Sequence, residues 1–299
     1  MHGHHLRYAV NLSILFTELD LLARPAAAKA AGFDAVEFWW PFPEAAPSRA
    51  EVDAFVAAVS DAGVQLVGLN FFAGDLAAGE RGLVSLPQRV DEFKAGVDLA
   101  VDIGRRLGCR AFNALYGNRI DGAATSTASA EKAASAATAS AASAEEVASA
   151  EEQDAVAIDS LRYAANAVAE IDATVLLEPV SGIPSYPLRT AADVLAVLDR
   201  VGEGADVDNL GLLADLYHLA VNGDDVSKVI AEHTARIAHV QIADAPGRGE
   251  PGSGGLDLDG WLGQLVANGY SGYVAAEYKP TVASAESFSW LPARARARR

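Results

Sequence analysis

The 299-residue sequence predicts a closed, parallel (β/α)8 barrel, and three observations carry that prediction. Short apolar runs of β character alternate along the chain with long Ala/Leu-rich runs of helical spacing. The short runs lack the strict in–out alternation of a sheet with one wet face. There are eight of them. Strands covered by helices on both faces read as continuous apolar runs, and eight βα units in one chain point to a closed barrel rather than an open sheet.

The strand segments are 8–13, 35–39, 65–71, 111–117, 174–180, 210–217, 238–244 and 273–278. Between them, helical apolar spacing covers about 18–31, 48–62, 88–107, 154–170, 190–201, 224–234 and 257–268, and an eighth helix is only faintly marked after Thr281. Ser48 and Thr190 stand where helix N-caps belong, since a side-chain oxygen there can accept an otherwise unpaired amide hydrogen. Gly32, Gly63, Gly108 and Gly269 each follow a helical run, as a C-terminal stop does. The expected organisation is a single barrel domain over 1–299, interrupted at about 123–152 by an Ala/Ser/Thr/Glu-rich insertion. That insertion lacks the large apolar side chains a core needs and reads as an expanded loop after strand four, partly helical or mobile and without chemistry. The basic residues 294–299 read as a frayed end.

Composition narrows the function. Forty acidic against 23 basic residues give a formal net charge of −17. A surface of that sign repels phosphate backbones, which argues against a nucleic-acid partner. One cysteine, Cys109, excludes an internal disulfide framework and suits a reducing compartment. No apolar run is long enough to span a bilayer and no leader is visible, so the expectation is a cytoplasmic protein without a membrane partner. The histidines among residues 1–5 are set aside as a tail.

Barrel chemistry sits at the C-terminal ends of the strands. Strand five runs into Glu178, strand six into Asp215, strand seven carries Gln241 and strand eight runs into Glu277. Any one of these could be a rim salt bridge or a loop cap. Four in consecutive strands, three of them carboxylates that are costly to bury unpaired, point to a shared cation. An all-oxygen donor set suits Mg2+ or Mn2+, with Co2+ a third option. His218, just past Asp215, is placed to bond a substrate oxygen, and His239 reads as a core or supporting residue. Glu37, with Trp39 and Trp40, is a further candidate for the pocket. The glycine-rich loops 72–82 and 246–254 follow strands three and seven. In the first, Asp75 and Arg81 read as local turn-makers; in the second, Arg248 is a candidate clamp for a substrate carboxylate.

These same stretches carry a family resemblance. Asn11-Leu12-Ser13, Val36-Glu37-Phe38, the 73–82 loop with Gly79-Glu80-Arg81-Gly82, Glu178-Pro179, Asp215-Leu216-Tyr217-His218, Gln241-Ile242-Ala243-Asp244, Arg248-Gly249-Glu250-Pro251-Gly252 and Glu277-Tyr278-Lys279-Pro280 resemble hydroxypyruvate isomerases. These belong to the xylose isomerase-like barrels, which also include ketose 3-epimerases and endonuclease IV. The resemblance spans nearly the whole chain apart from the insertion and the tails. It implies interconversion of hydroxypyruvate and tartronate semialdehyde through an enediolate. It also implies a divalent metal held by Glu178, Asp215, Gln241 and Glu277, with Glu178 and Glu277 as the acid/base pair. His218, Arg248, Lys279, Asn70 and Glu37 are the substrate-binding set, with the carboxylate falling to Arg248 or Lys279.

Two departures bear on the reading. Gln241 stands where the epimerases hold their metal with histidine, which disfavours epimerisation. Leu69 stands before Asn70 where some family members have a histidine, so that residue's role does not transfer. The nearest alternative is a 2-oxo-tetronate isomerase, and from another class a non-catalytic barrel that binds a sugar acid. A homo-oligomer follows by analogy alone.

Overall fold

The computed structural model describes residues 5–120 and 148–297. Eight strands form a closed barrel in chain order: β1 (Arg7–Asn11), β2 (Ala35–Phe38), β3 (Gln65–Asn70), β4 (Ala111–Asn113), β5 (Thr174–Leu177), β6 (Leu210–Asp215), β7 (Ile237–Ile242) and β8 (Tyr273–Ala276). Each pairs in parallel with the next, and β8 closes on β1 through the register Tyr8↔Val274 and Val10↔Ala276. Outside the barrel lie α1 (Arg24–Ala30), α2 (Arg49–Ala62), α3 (Val90–Leu107), α4 (Ala150–Ala169), α5 (Ala191–Gly202), α6 (Leu216–Asn222), α7 (Val226–His233), α8 (Leu258–Ala267) and a last short turn α9 (Ala293–Arg296). No helix among the described residues is long and apolar enough to cross a membrane.

The amphipathic helices bury one stripe each against the strands. α3 places Phe93, Val97, Ala100, Val101 and Ile103 inward, and Phe71 on the barrel side meets both Phe93 and Phe112 at ring distances of 5.9 and 5.6 Å. A side chain at Gly104 would stand 2.5 Å from the Phe112 ring, so glycine is what lets α3 approach β4. Both expected caps form full capping boxes: Ser48 with Glu51, and Thr190 with Asp193. Gly63 and Gly108 stop α2 and α3 in the left-handed conformation at φ 65° and 72°.

Several boundaries differ from the sequence reading for identifiable reasons. β6 stops at Asp215, because that side chain accepts from the amides of Tyr217 and His218 and turns the apolar run into α6, a helix the sequence pattern hid inside a strand. The faint eighth helix resolves into a 3-10 segment over Ser284–Trp290 followed by α9. The basic end is partly packed rather than frayed. Arg296 donates to the carbonyls of Ala31, Phe288 and Leu291 and lies over the rings of Phe33 and Phe288. Most of the Ala/Ser-rich segment lies outside the described residues; its end supplies Ser149, the N-cap of α4, and that helix's first turn. Cys109 is buried, and burial pushes its thiol up to about 12.

Replacing Thr190 with alanine removes the acceptor for the Asp193 amide at 3.1 Å. The expected cost is about 1 kcal/mol of unfolding free energy, read as a lower urea midpoint at unchanged slope.

Candidate active site

A polar ring closes the C-terminal mouth of the barrel, one contribution per strand. Asn11, Asn70, Asn113 and Asp215 are the last residues of β1, β3, β4 and β6. Glu37 and Gln241 are the penultimate residues of β2 and β7, and Glu178 and Glu277 directly follow β5 and β8. All eight are buried. Strand pairing sets Asn11 beside Glu37, Asn70 beside Asn113 and Asp215 beside Gln241.

Amides and one imidazole hold the carboxylates in place. Glu37 accepts from Asn11 Nδ2 at 2.9 Å and Gln241 Nε2 at 2.7 Å, and its other oxygen meets His239 Nε2 at 2.7 Å. Asn11 Nδ2 also reaches Glu277 at 3.1 Å, and Asn113 Nδ2 donates to Glu178 at 2.6 Å. Asn11 and Asn113 were missed as site residues by the sequence reading. Both obey the strand-end rule that found the acids, so the rule applied to amides would have found them.

Arg248 supplies the compensating charge. Its Nη2 lies 2.5 Å from Glu277 Oε1 and 3.2 Å from Asp215 Oδ2. The backbone there is left-handed, at φ 59°, which costs a non-glycine residue energy. Pairing of Asp244 with Gly249, and of Lys279 N with the Arg248 carbonyl, holds it so. The guanidinium is thus engaged by the protein's own carboxylates through Nη2. Lys279 is exposed, and its side chain does not line the cavity.

The cavity above the ring measures about 340 Å³. Glu178, His218, Arg248 and Glu277 line it together with Asn70, Trp39 and Arg81. Trp40 turns aside, its indole donating to the Glu44 carbonyl and its ring packed on Phe42. A larger groove of about 470 Å³ between α5 and Arg236 includes Leu210, the first residue of β6, and therefore opens at the strand starts. Barrel chemistry does not sit at that end.

Electrostatics in the cavity follow from burial. Burial first, and the Asp215 carboxylate second, push the Glu178 acid up to about 8, against the pull of Asn113 and Arg248. Burial likewise raises Glu277 well above the usual carboxylate range, with Arg248 opposing. Burial brings His218 down to about 4, so its ring is neutral near pH 7. The Ser181 amide donates to His218 Nδ1 at 3.0 Å, which places the ring proton on Nε2. His218 therefore carries its N–H on Nε2, which lies 3.6 Å from Asp215 Oδ2 at the cavity wall.

Glu178, Asp215 and His218 offer ligand atoms that all lie within 4.8 Å of one another, a candidate metal-binding group. The donor chemistry fits a hard divalent cation. Asp215 spends Oδ1 on capping α6 and leaves Oδ2 toward the other charges. Gln241 spends its NH2 on Glu37, and its buried Oε1 has no hydrogen-bond partner. The N–H tautomer of His218 makes the oxygens, rather than this nitrogen, the fitting ligands.

The family model for xylose isomerase-like TIM barrels matches residues 25–294. A Streptomyces coelicolor protein provisionally named a hydroxypyruvate isomerase is 48% identical, the match covering 98% of each chain. The Escherichia coli hydroxypyruvate isomerase is 32% identical over 96% of this chain and 98% of its own. A Cupriavidus necator 2-oxo-tetronate isomerase is also 32% identical, over 95% and 97%. Among solved structures, one described as an AP endonuclease, family 2, from Brucella melitensis superposes with a TM-score of 0.78 at 28% identity, covering 95% of this chain and 97% of that one.

The raised Glu178 acid sets a pH dependence for the metal-free protein. Between the ordinary value of 4.5 and about 8, the unfolded chain ionises this group while the folded chain keeps it protonated. Stability present below the ordinary value is therefore lost as pH rises toward 8, with a slope of about 1.4 kcal/mol per pH unit at most. Urea unfolding of metal-free protein between pH 5 and 8 should show the decline, and Glu178→Gln should flatten it.

Proposed function

The chain belongs to the hydroxypyruvate isomerase family of the xylose isomerase-like TIM barrels, and on that premise we propose that it is a divalent-metal-dependent isomerase interconverting hydroxypyruvate and tartronate semialdehyde. The observation that carries this reading is the pair Glu178 and Glu277. Both are buried, both line one cavity from separate strands, and burial raises both carboxyls, Glu178 to about 8 and Glu277 well above the usual carboxylate range.

The isomerisation moves two protons. One leaves C3 of hydroxypyruvate, which turns the C2–C3 unit into an enediolate, and a proton returns to C2. The hydroxyl proton passes from the C3 oxygen to the C2 oxygen, leaving the aldehyde at C3. A carboxyl group whose acidity lies near the working pH can both accept and return a proton, which two ordinary surface carboxylates do poorly. Glu178 and Glu277 are the groups for the carbon-bound proton. His218, locked as the Nε2–H tautomer by Ser181, donates to the substrate oxygen on which charge develops. Glu178, Asp215 and Gln241, with Glu277, would hold Mg2+ or Mn2+; the bound ion would supply positive charge against the enediolate. Arg248 keeps Glu277 and Asp215 in register.

The volume of the cavity, about 340 Å³, also admits a four-carbon acid, so a 2-oxo-tetronate is the second reading. Substrate profiling separates the two.

Glu277→Gln keeps a similar shape and its contact with Asn11 but removes the exchangeable carboxyl proton. Turnover of hydroxypyruvate with added Mg2+ or Mn2+ should fall by about 10²- to 10⁴-fold, with the thermal midpoint retained. Near-normal turnover in this variant would take Glu277 out of the chemistry.

A further inference from the structure

Of the two cations first expected to hold the substrate carboxylate, Arg248 is engaged with Asp215 and Glu277 and Lys279 does not line the cavity. A different guanidinium meets the requirement. Arg81 lines the cavity from the loop after β3, half-buried. Among the described residues no carboxylate lies within 4.0 Å of it.

The loop is built so that its other charges consume one another. Asp75 Oδ1 accepts from the amides of Ala77 and Ala78 at 2.9 and 3.0 Å. Glu80 accepts from the Asp75 amide at 2.6 Å with one oxygen and pairs with Arg89 at 2.7 Å with the other. Arg81 takes no part in that network. Its Nη1 donates to the carbonyls of Leu76 at 2.8 Å and Glu80 at 2.6 Å, which fixes the head group by one nitrogen. Among the described residues its Nε and Nη2 have no hydrogen-bond partner.

The backbone under Arg81 is equally fixed. Its carbonyl accepts from Gly117 N at 2.9 Å, and Gly82 N donates to the Ala73 carbonyl at 2.9 Å. A side chain at Gly82 would lie 1.8 Å from the Leu115 carbonyl, where φ is 109°, so glycine is required for this close approach to the segment after β4. The result is a pre-positioned guanidinium with one edge held and the other edge available. That edge is the planar fork that matches a carboxylate with two parallel hydrogen bonds.

Placement in the barrel supports the same role. In a closed ring of eight strands β3 stands four strands from β7, hence across the mouth from the Arg248 loop. A short 2-oxo acid with its reacting carbons toward Glu178, His218 and Glu277 needs an anion partner set apart from that carboxylate cluster.

We infer that Arg81 is the specificity-determining anchor for the substrate's carboxylate, an assignment that rests on the sugar-acid isomerase reading. The test uses Arg81→Met and Arg81→Lys in metal-supplemented protein, each checked for an unchanged thermal midpoint. Two readouts are needed: kcat and KM for hydroxypyruvate, and calorimetric affinity for glycerate, a carboxylate probe that cannot undergo the reaction, beside dihydroxyacetone, which lacks the carboxylate. The expected result is a KM for hydroxypyruvate raised about 10- to 100-fold in Arg81→Met, with kcat within a few-fold. Glycerate affinity should weaken by the same factor, dihydroxyacetone affinity should not change, and Arg81→Lys should recover part of the loss. Unchanged KM and glycerate affinity in Arg81→Met would overturn the assignment, as would a loss confined to kcat or a wild type that does not bind glycerate. Failure of the isomerase reading itself looks different: the wild type would convert no hydroxypyruvate, while glycerate binding that depends on Arg81 would still support the anchor.

Discussion

Four carboxylates, Glu37, Glu178, Asp215 and Glu277, are buried at one end of the barrel to between 1% and 7% exposure, and one guanidinium, Arg248, is the only fixed positive charge that touches any of them among the described residues. Burying charges without full compensation is so unfavourable that the protein must answer it with hydrogen bonds, protons or a cation. The architecture shows the first two and a donor set suited to the third. Amides from β1, β4 and β7 donate to three of the acids. Glu178 and Glu277 are pushed toward their protonated forms. The remaining oxygens converge in a way that suits a divalent ion. The same excess of negative charge that makes the site costly to fold makes it able to carry protons near neutral pH.

Glu37 occupies a central place in that arrangement without lining the main cavity. By accepting from Gln241 Nε2 it determines which end of that amide faces the other way, and Oε1 is left with no protein partner. An amide can serve a cation only through oxygen, so a buried acceptor behind it is what makes glutamine at this position a usable ligand. His239, on the same strand as Gln241, meets the second oxygen of Glu37 and so completes the support from below. Glu37 and His239 thus form one buried hydrogen-bonded unit with Gln241 beneath the cavity.

The barrel and its order were legible because apolar strands covered on both faces leave an unbroken signature, and because polar residues at strand ends stand out against it. Glu178, Asp215, Gln241 and Glu277 were visible for that reason. What was not legible depends on contacts distant in the chain. Arg248 is as compatible with a free clamp as with an ion pair until its partners at Glu277 and Asp215, from two other strands, are known. The helix Leu216–Asn222 was hidden because its cap is Asp215, a residue that reads first as a strand end. Lys279 sits in a motif beside Glu277, yet both lie past the end of β8, where the pleat no longer fixes the direction of a side chain, and adjacency in sequence says little about sharing a cavity.

A division of labour follows from which parts of the structure depend on the carboxylate cluster. Residues on β5, β6 and β8 are bound into it through Asn113, Asn11 and Arg248, so altering one changes the charge balance of the others. The loop after β3 is stabilised by its own network of Asp75, Glu80 and Arg89 and by its attachment to the chain after β4, and among the described residues it makes no hydrogen bond to the four acids. Substitutions there can reshape the wall of the cavity formed by Leu76, Ala77 and Arg81 while leaving the four acids undisturbed. Barrel enzymes diversify through their strand-end loops, and here the physical reason is explicit. The carboxylates at the strand ends form a tightly coupled electrostatic unit, whereas the loop after β3 draws its stability from its own hydrogen bonds and from its attachment to the chain after β4.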